Sequence, residues 1–394
     1  MLKAADALSA DGHSIRVVAT RHEPWAIDAD VDVLSSRPWP STFVDYRREP
    51  GNFTYWTSGI RYRATRAVAE LFGPERMPLA LAMRAYARVH DELVAAALQP
   101  TDLIYGGTTG AIAAIAEAAG HLDVPYGIDL EDLHHGESAA SDADFIHALA
   151  TRIESRILPG AAFVTTSSED TSRAYEDRYD IRAAAIHNTF PLPATAPDFS
   201  PSDVPPLRVY WFSQTIGHGR GLEEAIDALG ILGCASELSL RGRPMPGYLE
   251  QLVARASARA PLLRLVHLPP ASPDRMVDLA RGYDVGLATE PSIPLNRQVC
   301  VPNKAFTYIL AGLAVVMSDM PGMRRVASDI GEGVALVPPD DVDALAGAFA
   351  GWVRDPRRLD CAKRGAWNAA VRRWRWDHAL EGGRLCELVR SVRP

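Results

Sequence analysis

The stretch from Asp284 to Gly322, DVGLATEPSIPLNRQVCVPNKAFTYILAGLAVVMSDMPG, most constrains what this chain can fold into. A short apolar run over 284–288 reads as a strand that ends in Thr289-Glu290. A loop with Pro291, Pro294 and Pro302 follows, Asn303-Lys304 opens a helix that closes at Gly312, and residues 313–317 form the next strand. In a parallel sheet, the loop after a strand's carboxyl end and the next helix N-terminus form the ligand crevice. Lys304 adds a cation where backbone N–H groups already favour an anion. Glu290 is placed at a strand end to accept hydrogen bonds from hydroxyls. An anion site beside a hydroxyl acceptor suits a sugar phosphate or a nucleotide sugar. For Lys304 taken alone, a solvated lysine beside a helix cap is the plainer reading.

A second loop has matching chemistry. Residues 207–212 read as a strand and 222–232 as a helix, with Gly217-His218-Gly219-Arg220-Gly221 between them. Three glycines in five residues let backbone N–H groups approach a diphosphate, and Arg220 can pair with it bidentately. Walker A is excluded because no GK[ST] follows, and GHGRG lacks the spacing of a dinucleotide fingerprint.

The segment NKAFTYILAGLAVVMSD resembles the donor site of GT-B glycosyltransferases, specifically the large retaining group known as family 4. The resemblance implies an α/β chain of two Rossmann-like, doubly wound domains facing a cleft. It covers residues 207–350 most fully, 120–190 less and 21–98 thinly. Family members carry two glutamates about eight positions apart in this segment. Glu290 resembles the first, displaced by a longer loop, and the second position is Thr307, whose hydroxyl lacks the charge of the usual ribose ligand. By resemblance, Gly217, Gly219, Arg220 and Gly221 form the donor-diphosphate loop, joined by Asn303 and Lys304. Arg241, after the 237–240 strand, lies where relatives recognise the base; an ordinary solvent-facing arginine is the alternative.

In the first half, the 124–129 strand leads into Asp129-Leu130-Glu131-Asp132-Leu133-His134-His135-Gly136-Glu137. Relatives meet the donor sugar with a polar residue here, so Asp129, Glu131 and His134 are catalytic candidates with Glu290. An acidic surface loop is as good a reading of each singly, and the adjacent histidines match no zinc spacing. LKAADALSADGHSIRVVAT resembles the family's helix 1 and strand 2, so strand 1 and its glycine-rich loop are expected to be missing. Residues 102–105 are expected as a strand before the turn Gly106-Gly107-Thr108-Thr109-Gly110, and Met77 to Ala97 as one amphipathic helix.

The Pro-, Ser- and Thr-rich stretch 191–206 reads as a hinge. Domains are therefore expected over 1–195 (acceptor side) and 206–372 (donor side), with 373–394 a helix packing aromatics of RRWRW back on the first domain. A chain of 394 residues with 47% hydrophobic content can build two such domains. The net charge of −8 argues against a general nucleic-acid binder. Cys234, Cys300, Cys361 and Cys386 are widely spaced and fit reduced thiols. No apolar run reaches membrane-spanning length and no signal peptide is read, so a cytoplasmic location is expected. The aromatics and Arg61, Arg63 and Arg66 within 51–66 suit either contact with the cytoplasmic face of a membrane or a solvated helix face.

The resulting expectation is an enzyme moving a sugar from a nucleotide-diphosphate sugar to a saccharide, lipid-linked or small-molecule acceptor, with no cofactor or metal. The alternative is a non-catalytic nucleotide-sugar-binding or scaffold protein on a degenerate version of the fold. An epimerase would need a clearer acid–base set.

Overall fold

The computed structural model describes all residues except 25, 36, 138–142, 200–205, 378 and 393–394. Part of the expected hinge, 200–205, thus lies outside the described residues. The chain forms two compact units: Met1–His187 with Pro294–Asn296 and Glu381–Pro394, and Asn188–Ile293 with Arg297–Leu380. The division falls at His187, ahead of the proline-rich stretch. Of the stretch 373–394, only residues from Glu381 onward belong to unit 1.

In chain order the elements are α1 (Leu2–Ala10), β1 (Val17–Arg21), α2 (Ala26–Leu34), β2 (Ser41–Asp45), α3 (Phe53–Phe72), α4 (Leu79–Tyr86), α5 (His90–Ala97), β3 (Ile104–Gly107), α6 (Ile112–Leu122), β4 (Tyr126–Leu130), α7 (Ala143–Ile157), β5 (Phe163–Thr166), α8 (Glu169–Tyr179) and β6 (Ala184–Ala185). Then follow β7 (Leu207–Ile216), α9 (Leu222–Leu232), β8 (Ser236–Pro244), α10 (Tyr248–Arg259), β9 (Leu263–Leu268), α11 (Met276–Ala280), β10 (Val285–Ala288), α12 (Asn296–Val299), α13 (Asn303–Ala311), β11 (Ala314–Ser318), α14 (Pro321–Ile330), β12 (Val334–Val337), α15 (Val342–Arg354), α16 (Pro356–Arg372) and α17 (Glu381–Ser391).

Unit 2 is a six-stranded, all-parallel sheet in the order β12-β11-β10-β7-β8-β9. That is the Rossmann order, and its topological switch point lies between β7 and β10. Its strands read as continuous apolar runs because both faces are covered. Val209, Trp211, Leu238, Leu240, Val285, Leu287 and Val316 are all fully buried, each worth roughly 1.5–3 kcal/mol relative to exposure. Strand β7 runs four residues beyond its expected end, through Ser213 to Ile216. Strand β8 likewise continues through Arg241-Gly242-Arg243. A bulge between Phe212 and Thr215 accommodates this, and a side chain at Gly242 would run into Ser213 O at 2.3 Å.

Unit 1 holds two parallel sheets, β1-β2 and β3-β4-β5-β6. Among the described residues no ladder joins them. In a Rossmann order the position between β1 and β3 is that of the first strand. Strand β3 takes in Gly106 and Gly107, which the sequence reading placed in the turn. A Cβ at Gly107 would lie 2.2 Å from Asp129 O, so only glycine pairs there. The expected single helix over 77–97 is instead α4 and α5, broken at Ala87–Val89. The break turns Arg88 onto α3, where it donates to Tyr55 O at 2.6 Å and Ser58 Oγ at 3.2 Å. The tryptophans of RRWRW also depart from expectation. Trp374 stacks on Phe306, and the Trp376 backbone N–H donates to Phe190 O, both within unit 2.

Helix α17 is fixed in unit 1 by an ionic lock. His187 Nδ1 lies 3.2 Å from Glu381 Oε1 and Nε2 lies 3.0 Å from Glu169 Oε2, with His187 and Glu381 fully buried. Burial opposes the charged ring, but the two carboxylates outweigh it and raise the His187 pKa. A raised folded-state pKa gives stability that is complete below the ordinary imidazole value and lost as pH rises through the folded one. The melting temperature of the wild type should therefore fall more between pH 6 and pH 9 than that of His187→Gln. Parallel pH profiles for the two proteins would remove this role from His187.

Candidate functional site

Two loops of unit 2 end at the switch point. The first follows β7. Gly219 and Gly221 have φ of +65° and +72°, and a Cβ at Gly221 would meet Thr289 Oγ1 at 2.6 Å. Glycine is needed to bring the start of α9 this close to the end of β10. The second loop follows β10, whose backbone is pinned at Glu290. Its N–H donates to Ser318 Oγ at 2.8 Å, and that hydroxyl donates to Glu290 O at 2.7 Å.

Glu290 is 7% exposed and sits among three cations. Lys304 Nζ donates to Glu290 Oε1 at 2.5 Å and stands 5.0 Å over the Trp211 ring. Arg297 Nη1 is 3.6 Å and Arg220 Nη1 3.9 Å from Glu290 Oε2. Burial lowers the Lys304 pKa against the pull of Glu290, and burial likewise lowers that of Arg297. One carboxylate cannot neutralise three cations, so the cluster has an excess of positive charge at the mouth of two loops. Such a cluster is built to receive an anion of more than one charge.

Arg297 was missed by the sequence reading, which took 291–302 as loop alone. The structure places it on α12, where Nη1 donates to Gly219 O at 2.7 Å and so ties the second loop to the first. Gln298 Nε2 donates to Ser292 O at 2.9 Å, and Gly322 lets Val299 O come close beneath α14. Only the number of prolines and the proximity of a basic residue to Glu290 could have signalled this.

Other candidates occupy different surroundings. Asn303 is exposed at the first position of α13. Thr307 is fully buried, with Oγ1 bonded to Asn303 O at 3.3 Å. Arg241 is 9% exposed and donates to Tyr210 Oη and Pro269 O, both at 2.8 Å, so it holds β8 to its neighbours. Gly217 packs beside Met245.

In unit 1, Asp129 accepts from Thr165 Oγ1 at 2.7 Å, and Thr165 also meets the Tyr105 hydroxyl at 2.9 Å. Burial raises the Asp129 pKa. Glu131 contributes its backbone carbonyl to Ser167 Oγ. His134 is 2% exposed and packs on Glu154, while Asn296 bridges Asp132 and the Leu133 N–H. On α3, Arg61 pairs with Asp91 and Glu92, and Phe53, Trp56 and Ile60 are exposed along one stripe. No helix among the described residues is long and apolar enough to cross a membrane.

Parallel α/β sheets in both units, with the second wound in Rossmann order, match solved structures of GT-B fold. No family model matches the sequence, and a comparison with curated proteins gives no match. Among solved structures, Anabaena HepE in complex with UDP-glucose is similar over 96% of this chain and 100% of its own, with TM-score 0.66 and 15% identity. Sucrose-phosphate synthase from Thermosynechococcus elongatus also aligns at TM-score 0.66, with 16% identity over 98% of this chain and 91% of that one. A glycosyltransferase from Rickettsia africae aligns at TM-score 0.60, with 9% identity over 99% and 94%.

Proposed function

We propose that this protein is a glycosyltransferase that takes a sugar from a nucleoside-diphosphate donor, with a uridine nucleotide the first donor to test. The observation that carries the reading is the Glu290 cluster at the Rossmann switch point, where Arg220, Arg297 and Lys304 stand around one carboxylate. The fold similarity to HepE bound to UDP-glucose supports the choice of nucleotide. The three cations and the glycine loop would hold the diphosphate and meet the negative charge that grows on it as the glycosidic bond breaks. With that charge supplied by side chains, binding needs no metal. Glu290 Oε2 would orient a sugar hydroxyl, and retention of configuration follows the resemblance to family 4.

Calorimetry with UDP in excess chelator tests the site. Arg220→Ala should weaken UDP binding by about 1.5–3 kcal/mol, the worth of a hydrogen bond to a charged group. Unchanged affinity would remove the diphosphate from this loop, and binding only with added magnesium would overturn the metal-free reading. Release of UDP from UDP-sugars by wild type, lost in Arg220→Ala, separates a transferase from a binding protein on the same fold.

A further inference from the structure

Helix α3 turns its largest apolar side chains outward. A surface helix ordinarily buries its apolar stripe and shows charge to water. In α3 the buried positions are the small Ser58, Gly59, Thr65 and Ala69. The opposite face carries Phe53, Trp56, Ile60, Ala64, Ala67 and Leu71, all exposed and spaced so that they form one row. Phe53 is 78% exposed, Trp56 54%, Ile60 62% and Leu71 77%. Together they show water on the order of 600 Å² of apolar surface, as much as the largest patch on an ordinary monomer, and such patches mark interaction sites. The row stands on a fixed base. Asn52 caps the helix start by accepting from the Tyr55 N–H at 3.2 Å, and from below Arg61 pairs with Asp91 at 3.2 Å while Arg88 lies 4.4 Å over the Tyr55 ring.

Charge argues against a lipid surface as the partner. At the ends and edges of the row Arg48, Arg63 and Arg76 are exposed, but so are Glu49, Glu70 and Glu75. The rim is balanced, and the whole chain carries −8. An anionic leaflet attracts a surface with a basic excess, which this one lacks. Aromatic residues and a mixed rim around a charge-poor row are the composition of a protein interface.

The row is also complementary to itself. Against a second copy running in the opposite direction, Phe53 meets Leu71, Trp56 meets Ala67 and Ile60 meets Ala64, and the same contacts recur across a twofold axis. Trp56 and Ile60 thus each face a methyl group, a large-on-small fit that lets two helices approach closely. Arg63, beside the axis, donates from Nε to Gly59 O at 3.1 Å and so lies back along its own helix. Two copies would bury on the order of 1,200 Å², the lower end for a specific interface. We infer that α3 packs antiparallel on α3 of a second copy of this chain, with the twofold axis level with Tyr62.

Sedimentation velocity on the full chain over a wide concentration series tests the inference. The wild type should dimerise with a Kd on the order of micromolar, the weak end for such interfaces. Ile60→Arg puts two like charges across the axis and should raise that Kd at least about a hundredfold, with no loss of melting temperature because the side chain is exposed. Leu71→Glu, at the far end of the row, serves the same purpose if Ile60→Arg does not fold. The swap Ile60→Ala with Ala64→Ile again sets each isoleucine against an alanine and should keep the dimer. A chain that stays monomeric at every concentration, or a dimer untouched by both single changes, would overturn the inference. So would a monomer that floats with vesicles of phosphatidylcholine and phosphatidylglycerol, which would make the row a lipid contact. A swap variant that no longer dimerises would overturn the antiparallel pairing.

Discussion

Lys304→Met is expected to destabilise unit 2 by about 3 kcal/mol, read from urea unfolding. Lys304 and Glu290 are 8% and 7% exposed and 2.5 Å apart. Removing one partner of a buried pair leaves the other charge uncompensated and costs about 3–5 kcal/mol. Arg297 at 3.6 Å still faces Glu290 and places the loss at the lower end. The double change Lys304→Met with Glu290→Gln removes both charges and should recover most of the stability, because a neutral amide beside methionine has no charge to desolvate. If the single and double variants unfold at the same urea concentration, the pair is not what holds this corner of the sheet.

A larger loss is expected from Thr307→Glu, at least about 4 kcal/mol, the range reserved for buried unpaired charge and overpacking. The change would put a carboxylate where the resemblance to family 4 expects the second one. Thr307 has no accessible surface, and α13 is buried from Lys304 to Ala311. A glutamate there must either ionise among apolar neighbours or push α13 off the sheet. Thr307→Val keeps the shape and loses only a weak bond to Asn303 O, so it should change the melting temperature little. A Thr307→Glu protein that melts with the wild type and binds UDP more tightly would show that the side chain finds the ribose after all.

The strand–loop–helix–strand order around Glu290 was legible because every boundary carries local chemistry: prolines after the strand, Asn303 at the helix start, Gly312 in the left-handed conformation at its end. The glycine loop was legible for the same reason. What the sequence could not show was strand order, since β7 and β10 are neighbours across some seventy residues, and the switch point exists only once they pair. The role of Arg297 could not be assigned from sequence because it depends on a carbonyl at Gly219, far away in the chain. The surroundings of Arg241 were hidden for the converse reason: whether an arginine after a strand faces solvent depends on where the strand ends, and here the strand runs on and packs Arg241 against Tyr210. The break between α4 and α5 went unseen because it is set by the grip of Arg88 on α3, which periodicity alone does not record.

The divided sheet of unit 1 carries a consequence for how firmly its parts are aligned. A ladder of backbone hydrogen bonds fixes alignment to the residue, since a slip of one position breaks every bond and reverses every side chain. Strands β1 and β3 share no such ladder among the described residues. What spans them is the apolar cluster of Val44, Val89, Leu93, Val94, Ala114 and Ala118, with Val18 and Ile104 against it. Apolar contact has no preferred direction. It holds the two sheets together through the fit of side chains, without the residue-by-residue register that a ladder imposes.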